Sequence, residues 1–138
     1  MNCYLDSSVV LRKVLRQSNS LEEWSALETG FSSRLLQLEC LRSIDRLRLL
    51  SDLSAEQMVE SRTYFFELIR KIGLLPMTEA VIKRAEEPFH SALGSLDSIH
   101  LSTALFLRER HGRDFLFATH DKELALAAKA YGFNVIGS

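Results

Sequence analysis

Cysteine and proline are scarce in this chain, and neither sign of charge prevails. Its 138 residues hold two cysteines, Cys3 and Cys40, too few for a disulfide framework and without metal-ligand spacing. Two unpaired thiols suit a reducing compartment. The two prolines, Pro76 and Pro88, are isolated, and no linker, repeat or low-complexity tract divides the chain. One domain over residues 1–138 is therefore expected. The formal net charge of -1 excludes a strongly basic nucleic-acid binder, so such a role would have to rest on local clusters. No apolar run approaches the roughly 18 residues of a membrane span. The opening MNCYLDSSVVLRKVLR meets Asp6 before a signal-peptide core could form. These absences predict a soluble cytoplasmic protein without a membrane partner.

What is present is ordinary for a globular protein: 46% apolar and 25% charged residues, long enough to bury a core. CYL is a short apolar run followed at once by a helix from about Ser8 to Arg16. SLEE at Ser20–Glu23 reads as a capping box opening a short helix that Gly30 closes, with a strand at Phe31–Ser33 after it. RLLQLECLRSIDRLRLL carries the helical stripe Leu36, Cys40, Ile44 and Leu47. A second capping box at Ser54–Gln57 leads a helix through Arg70. Ile72–Met77 reads as a strand, Thr78 caps a helix to about Phe89, and Ser95 caps one ended by Gly112. FLFAT is a strand, KELALAAKAYG a helix, and Asn134–Ile136 a last strand. Solidly apolar strands alternating with helices predict an α/β fold. Its expected form is a three-layer sandwich, a mostly parallel sheet of four to five short strands covered by helices on both faces. Ligands in such sheets gather beyond the carboxyl ends of the strands.

Four carboxylates draw notice against that frame. Asp6 ends the first strand, and Asp121 follows FLFAT by one residue, after His120. Asp97 lies in the first turn of its helix, within LDSIHLSTAL. Glu39 borders an apolar stripe beside Ser43 and Arg46. Each alone has a plain structural role: Asp6 and Asp121 as helix N-caps, Asp97 as a charge at the positive helix end, Glu39 as half of a surface ion pair. Together they are different. Two carboxylates about 4 Å apart repel by roughly 4 kcal/mol at an effective dielectric of 20, so four gathered at one rim call for protonation or a cation. Hard oxygen donors favour Mg²⁺ or Mn²⁺ over Zn²⁺. His100, one turn after Asp97, reads as a packed core histidine in preference to a ligand.

YLDSSVVL, LECLR, LDSIHLSTAL and FATHDKELALAAKAYGFNVI together resemble the PIN-domain ribonucleases, and among these the VapC-type toxins of toxin–antitoxin pairs. The resemblance runs over nearly the whole chain; no single motif is specific, and the order and spacing of all four carry it. It implies an acidic site at Asp6, Glu39, Asp97 and Asp121, which would bind one or two Mg²⁺ or Mn²⁺ ions. Ser7 and Thr119 match the family's supporting hydroxyls. The implied reaction is RNA hydrolysis by in-line attack of water, leaving a 5′-phosphate and a 3′-hydroxyl. The implied partners are a cognate antitoxin and a second copy in a homodimer. Arg42 and Arg46, on the flank of Glu39, and Arg12 are candidates for RNA phosphate contacts. Leu21, Trp24, Leu27, Met58, Tyr64, Phe65 and Phe66 are candidates for an antitoxin-binding clamp. The alternative is a catalytically inactive PIN-like module that binds RNA or protein. A phosphotransferase of the haloacid dehalogenase type would need a second Asp two residues after Asp6, where Ser8 stands.

Overall fold

The computed structural model describes residues 1–50 and 52–138. The order is β1 (Asn2–Leu5), α1 (Ser7–Val14), β2 (Thr29–Ser33), α2 (Leu35–Leu49), α3 (Ala55–Ile69), β3 (Ile72–Leu75), α4 (Glu79–Glu86), α5 (Ser95–His111), β4 (Leu116–Ala118), α6 (Lys122–Ala130) and β5 (Asn134–Ile136). The sheet has five strands in the order β3-β2-β1-β4-β5. Every pairing is parallel. The expected α/β sandwich is therefore present, with a sheet wholly parallel instead of mostly so.

Alternation along the strands splits the core into two layers. Cys3 and Leu5 face one way, with Val9 and Val10 of α1, Leu36, Cys40 and Ile44 of α2, and Phe65 of α3. Tyr4 faces the other way, with Leu101, Ala104 and Leu107 of α5, Leu124 and Ala128 of α6, and Phe117. Strands apolar on both sides are the signature of a sheet covered on both faces. α5 is buried over much of its circumference, at His100, Leu101, Ser102, Thr103, Ala104 and Leu107, because α4 packs on it as well as the sheet. Leu96, at a helical spacing from Ile99, His100 and Thr103, is instead 50% exposed.

β1 is central. The chain runs from it to β2 and β3 on one side, then crosses to β4 and β5 on the other. That reversal opens a crevice at the carboxyl ends of β1 and β4, where doubly wound folds bind ligands. The ladder continues past the strands there, through Asp6 N to Ala118 O (3.0 Å) and Thr119 N to Ile136 O (3.1 Å).

Several local expectations need correction. The Ser20–Glu23 capping box does not form; Glu22–Ala26 is a 3₁₀ turn without a side-chain cap. Burial of Leu21 and the bond from Glu28 N to Met1 O pull this segment back toward β1 before a full helix can develop. Gly30 does not close a helix but lies inside β2, where a Cβ would stand 2.7 Å from Leu5 Cδ1. A side chain there would require Leu5 to shift. Gly94, not Ser95, is the N-cap of α5, and α4 ends at Glu86, short of Phe89. The box at Ser54 and Gln57 forms in full, and Thr78 caps α4 through Val81 N.

Candidate functional site

Asp6 is 4% exposed at the end of β1. It is the N-cap of α1, accepting from Ser8 N at 3.4 Å, and its Oδ2 accepts two hydroxyl protons: Ser8 Oγ at 2.6 Å and Thr119 Oγ1 at 2.9 Å. A carboxylate with three donors on one oxygen is fixed in direction, and Oδ1 remains for other partners. Thr119 in turn accepts from Asp121 N at 3.0 Å, tying the two acidic positions together. Asp121 is exposed and caps α6 through Leu124 N at 2.9 Å. Both aspartates thus serve as caps, and capping takes only part of each one's acceptor capacity.

The serine hydroxyl that bonds Asp6 is that of Ser8, which also accepts from His120 N at 3.0 Å. At Ser7 the bonded group is the backbone carbonyl, met by Cys40 Sγ at 3.9 Å. In a tight strand-to-helix turn the side chain two residues beyond the cap folds back onto it, which residue-by-residue matching does not reveal. Thr119 is fully buried between Asp6 Oδ2, to which it donates, and Asp121 N, from which it accepts.

Asp97 sits in the first turn of α5, half-buried. Burial, then the charges of Asp6 and Asp121, raise its pKa; His100 opposes them and Glu39 adds to them, leaving it pushed up to about 6.

Glu39 is held by His100, whose Nε2 lies 2.5 Å from Glu39 Oε1 and 3.8 Å from Asp6 Oδ1. Burial by itself would lower the His100 pKa. The Glu39 hydrogen bond and the charges of Asp6, Glu39 and Asp97 outweigh it and hold the ring above the usual imidazole value. His100 is fully buried, as a packed histidine should be, but it bonds the acidic rim instead of lying apart from it. Its position one turn after Asp97 was the available signal.

Among the described residues, no group of three or more His, Cys, Asp or Glu side chains forms a ready-made metal cage. The donor set nevertheless suits a hard divalent ion. Mg²⁺ needs only one or two carboxylates and keeps its remaining ligands as water, and a cation would relieve the Asp6 and Asp121 repulsion that adds to burial in raising Asp97.

Of the arginines, Arg42 is exposed and paired with Asp45 at 3.0 Å, Arg46 is exposed, and Arg12 reaches Asn19 O at 3.4 Å. The apolar residues considered for a clamp are largely core. Phe65 is fully buried, Leu21 is 4% exposed, and Trp24, Leu27 and Met58 are partly buried against the same cluster, while Tyr64 is half-buried and Phe66 is 38% exposed.

An all-parallel sandwich with Asp6 and Asp121 at the carboxyl edge of its central strands is the architecture expected of a PIN domain. The PIN domain family model matches residues 3–130, and the chain belongs to that family. It is similar to Ribonuclease VapC47 of Mycobacterium tuberculosis (strain CDC 1551 / Oshkosh), with 25% identity over 132 residues, covering 94% of this chain and 92% of that protein.

Proposed function

We propose that this protein is a Mg²⁺- or Mn²⁺-dependent endoribonuclease, the toxin of a type II toxin–antitoxin pair, formed by one domain over residues 1–138. What supports the reading is that Thr119 joins Asp6 to Asp121, and that His100 lies against both Glu39 and Asp6 from the helix whose first turn holds Asp97. The residues that would hold the ion are Asp6 through Oδ1, with Asp97 and Asp121, and Glu39 beside them. Bound there, such an ion would supply Lewis-acid polarisation of a phosphodiester and a more acidic water. Ser8 and Thr119 keep the Asp6 carboxylate aimed, and burial of the Asp6 side chain strengthens its field at the rim. Arg46, Arg42 and Arg12 would meet RNA phosphates. The antitoxin and a second copy are the expected protein partners, by analogy with the VapC-type relative. A cytoplasmic setting accords with the free thiols Cys3 and Cys40 and with the lack, among the described residues, of any helix long and apolar enough to cross a membrane.

A catalytically inactive PIN-like binding module is the second reading, favoured by the lack of a ready-made three-ligand cage among the described residues. Metal-dependent cleavage of an RNA panel separates the two. Wild type should cleave with Mg²⁺ or Mn²⁺ and stop with EDTA, while Asp6→Asn and Asp97→Asn should be at least about 100-fold slower. Equal rates in all three proteins would assign the cleavage to a contaminant. No cleavage by any, with RNA binding retained, would establish the binding module.

A further inference from the structure

We propose that Tyr4 and His100 are positioning residues that set the Glu39 carboxylate at the acidic rim, a role that rests on the nuclease reading above. Glu39 is mid-way along α2, which covers one face of the sheet, whereas His100 comes from α5 on the opposite face. Their hydrogen bond therefore crosses the carboxyl edge of the sheet and joins the two helical layers over the site. A glutamate side chain on a helix surface samples many rotamers. This one is 18% exposed with one oxygen fixed at 2.5 Å, so a single arrangement is selected.

The bond is backed from behind. Tyr4 Oη accepts from Ser33 N at 3.2 Å and stands 2.5 Å from His100 Nδ1. Tyr4 itself is locked in the central strand, fully buried and stacked on Phe117 with ring centroids 5.2 Å apart. With the Ser33 N–H as donor to the phenol oxygen, the phenol proton is available to Nδ1, leaving Nε2–H as the donor to Glu39. In the charged ring Nε2–H is the donor as well, so the positioning role does not depend on protonation. The same Nε2–H lies 3.8 Å from Asp6 Oδ1. The N–H that holds Glu39 thus also faces the Asp6 carboxylate, at a distance where charge acts but no hydrogen bond forms. Partners that orient ligating side chains in this way typically account for about 10- to 100-fold in metal affinity or activity.

The test measures Mn²⁺ binding by calorimetry beside RNA cleavage. The variants are His100→Leu, His100→Gln, Tyr4→Phe, Glu39→Gln and the double variant His100→Leu/Glu39→Gln. His100→Leu should raise the Mn²⁺ dissociation constant and lower cleavage, each by about 10- to 100-fold. His100→Gln, which keeps an N–H donor, should recover most of both. The double variant should be no worse than Glu39→Gln alone, since the two losses report one interaction. Losses that multiply would mark His100 as a general packing residue and overturn the inference, as would wild-type behaviour of His100→Leu in an otherwise active protein. If circular dichroism shows His100→Leu unfolded, Tyr4→Phe decides: a several-fold weaker Mn²⁺ affinity supports the relay and an unchanged one overturns it. A wild type that neither binds Mn²⁺ nor cleaves RNA overturns the nuclease reading itself, and this inference with it.

Discussion

The hydroxyl of Thr119 donates to Asp6 Oδ2 at 2.9 Å, joining the residue after β4 to the residue after β1, 113 positions earlier. It also accepts from Asp121 N, so one buried side chain locks two acidic positions into a common frame. Thr119→Val keeps the shape and removes both bonds, leaving the Asp121 N–H unpaired. Stability should fall by about 1–3 kcal/mol in urea unfolding, and Thr119→Ser should retain most of it. A neutral Thr119→Val would mean that the bonds do not hold the frame.

Ser8 and Ser7 differ in consequence although they are neighbours. Ser8→Ala strips a donor from Asp6 Oδ2 and an acceptor from His120 N. Ser7→Ala leaves the carbonyl met by Cys40 in place. Cleavage rates should therefore drop about 10-fold for Ser8→Ala and by less than about 2-fold for Ser7→Ala. The reverse order would return the supporting role to Ser7.

The raised Asp97 carboxyl makes a signed prediction about pH. Its folded pKa, about 6, lies above its ordinary value of 3.8, so the folded state favours the protonated form. The associated stability is fully present below 3.8 and is lost as pH rises through 6. In EDTA, Asp97→Asn should therefore melt higher than wild type at pH 7.5 by an amount worth about 1 kcal/mol, and show little gain at pH 4. Mg²⁺ should raise the wild-type Tm more at pH 7.5 than at pH 5, because protons compete for the same oxygens. Equal gains at both pH values would detach Asp97 from the acidic rim.

Gly30 tests the packing of the central strands. A methyl group there would meet Leu5 Cδ1 at 2.7 Å, and Leu5 is itself 1% exposed with little room to retreat. Gly30→Ala should cost about 1–3 kcal/mol in chemical denaturation. An unchanged midpoint would show that Leu5 has room to move.

Arg46 is the arginine on the Glu39 flank to test first, since the guanidinium of Arg42 is engaged with Asp45. Arg46→Ala should weaken RNA binding evenly across sequences and reduce the slope of log affinity against log salt by about one. Arg42→Ala should do less. A flat salt response in wild type would remove both from the interface.

The run of apolar strands and amphipathic helices already specified a covered parallel sheet, because a strand apolar on both sides has no other stable home. For the same reason the strand-end positions of Asp6 and Asp121 were legible: the residue after a short apolar run must emerge at the sheet's edge. Local chemistry announced the caps at Ser54 and Thr78, which require only neighbours in sequence. It misled at Ser20, where Leu21 is buried and Glu28 bonds to Met1. It misled again at Gly30, whose reason is a side chain from another strand. Only the tertiary structure decided that Ser8 serves Asp6, that His100 from one layer grips Glu39 from the other, and that Phe65 is interior. Each of these turns on which groups from distant parts of the chain meet, and no spacing along a single element encodes that.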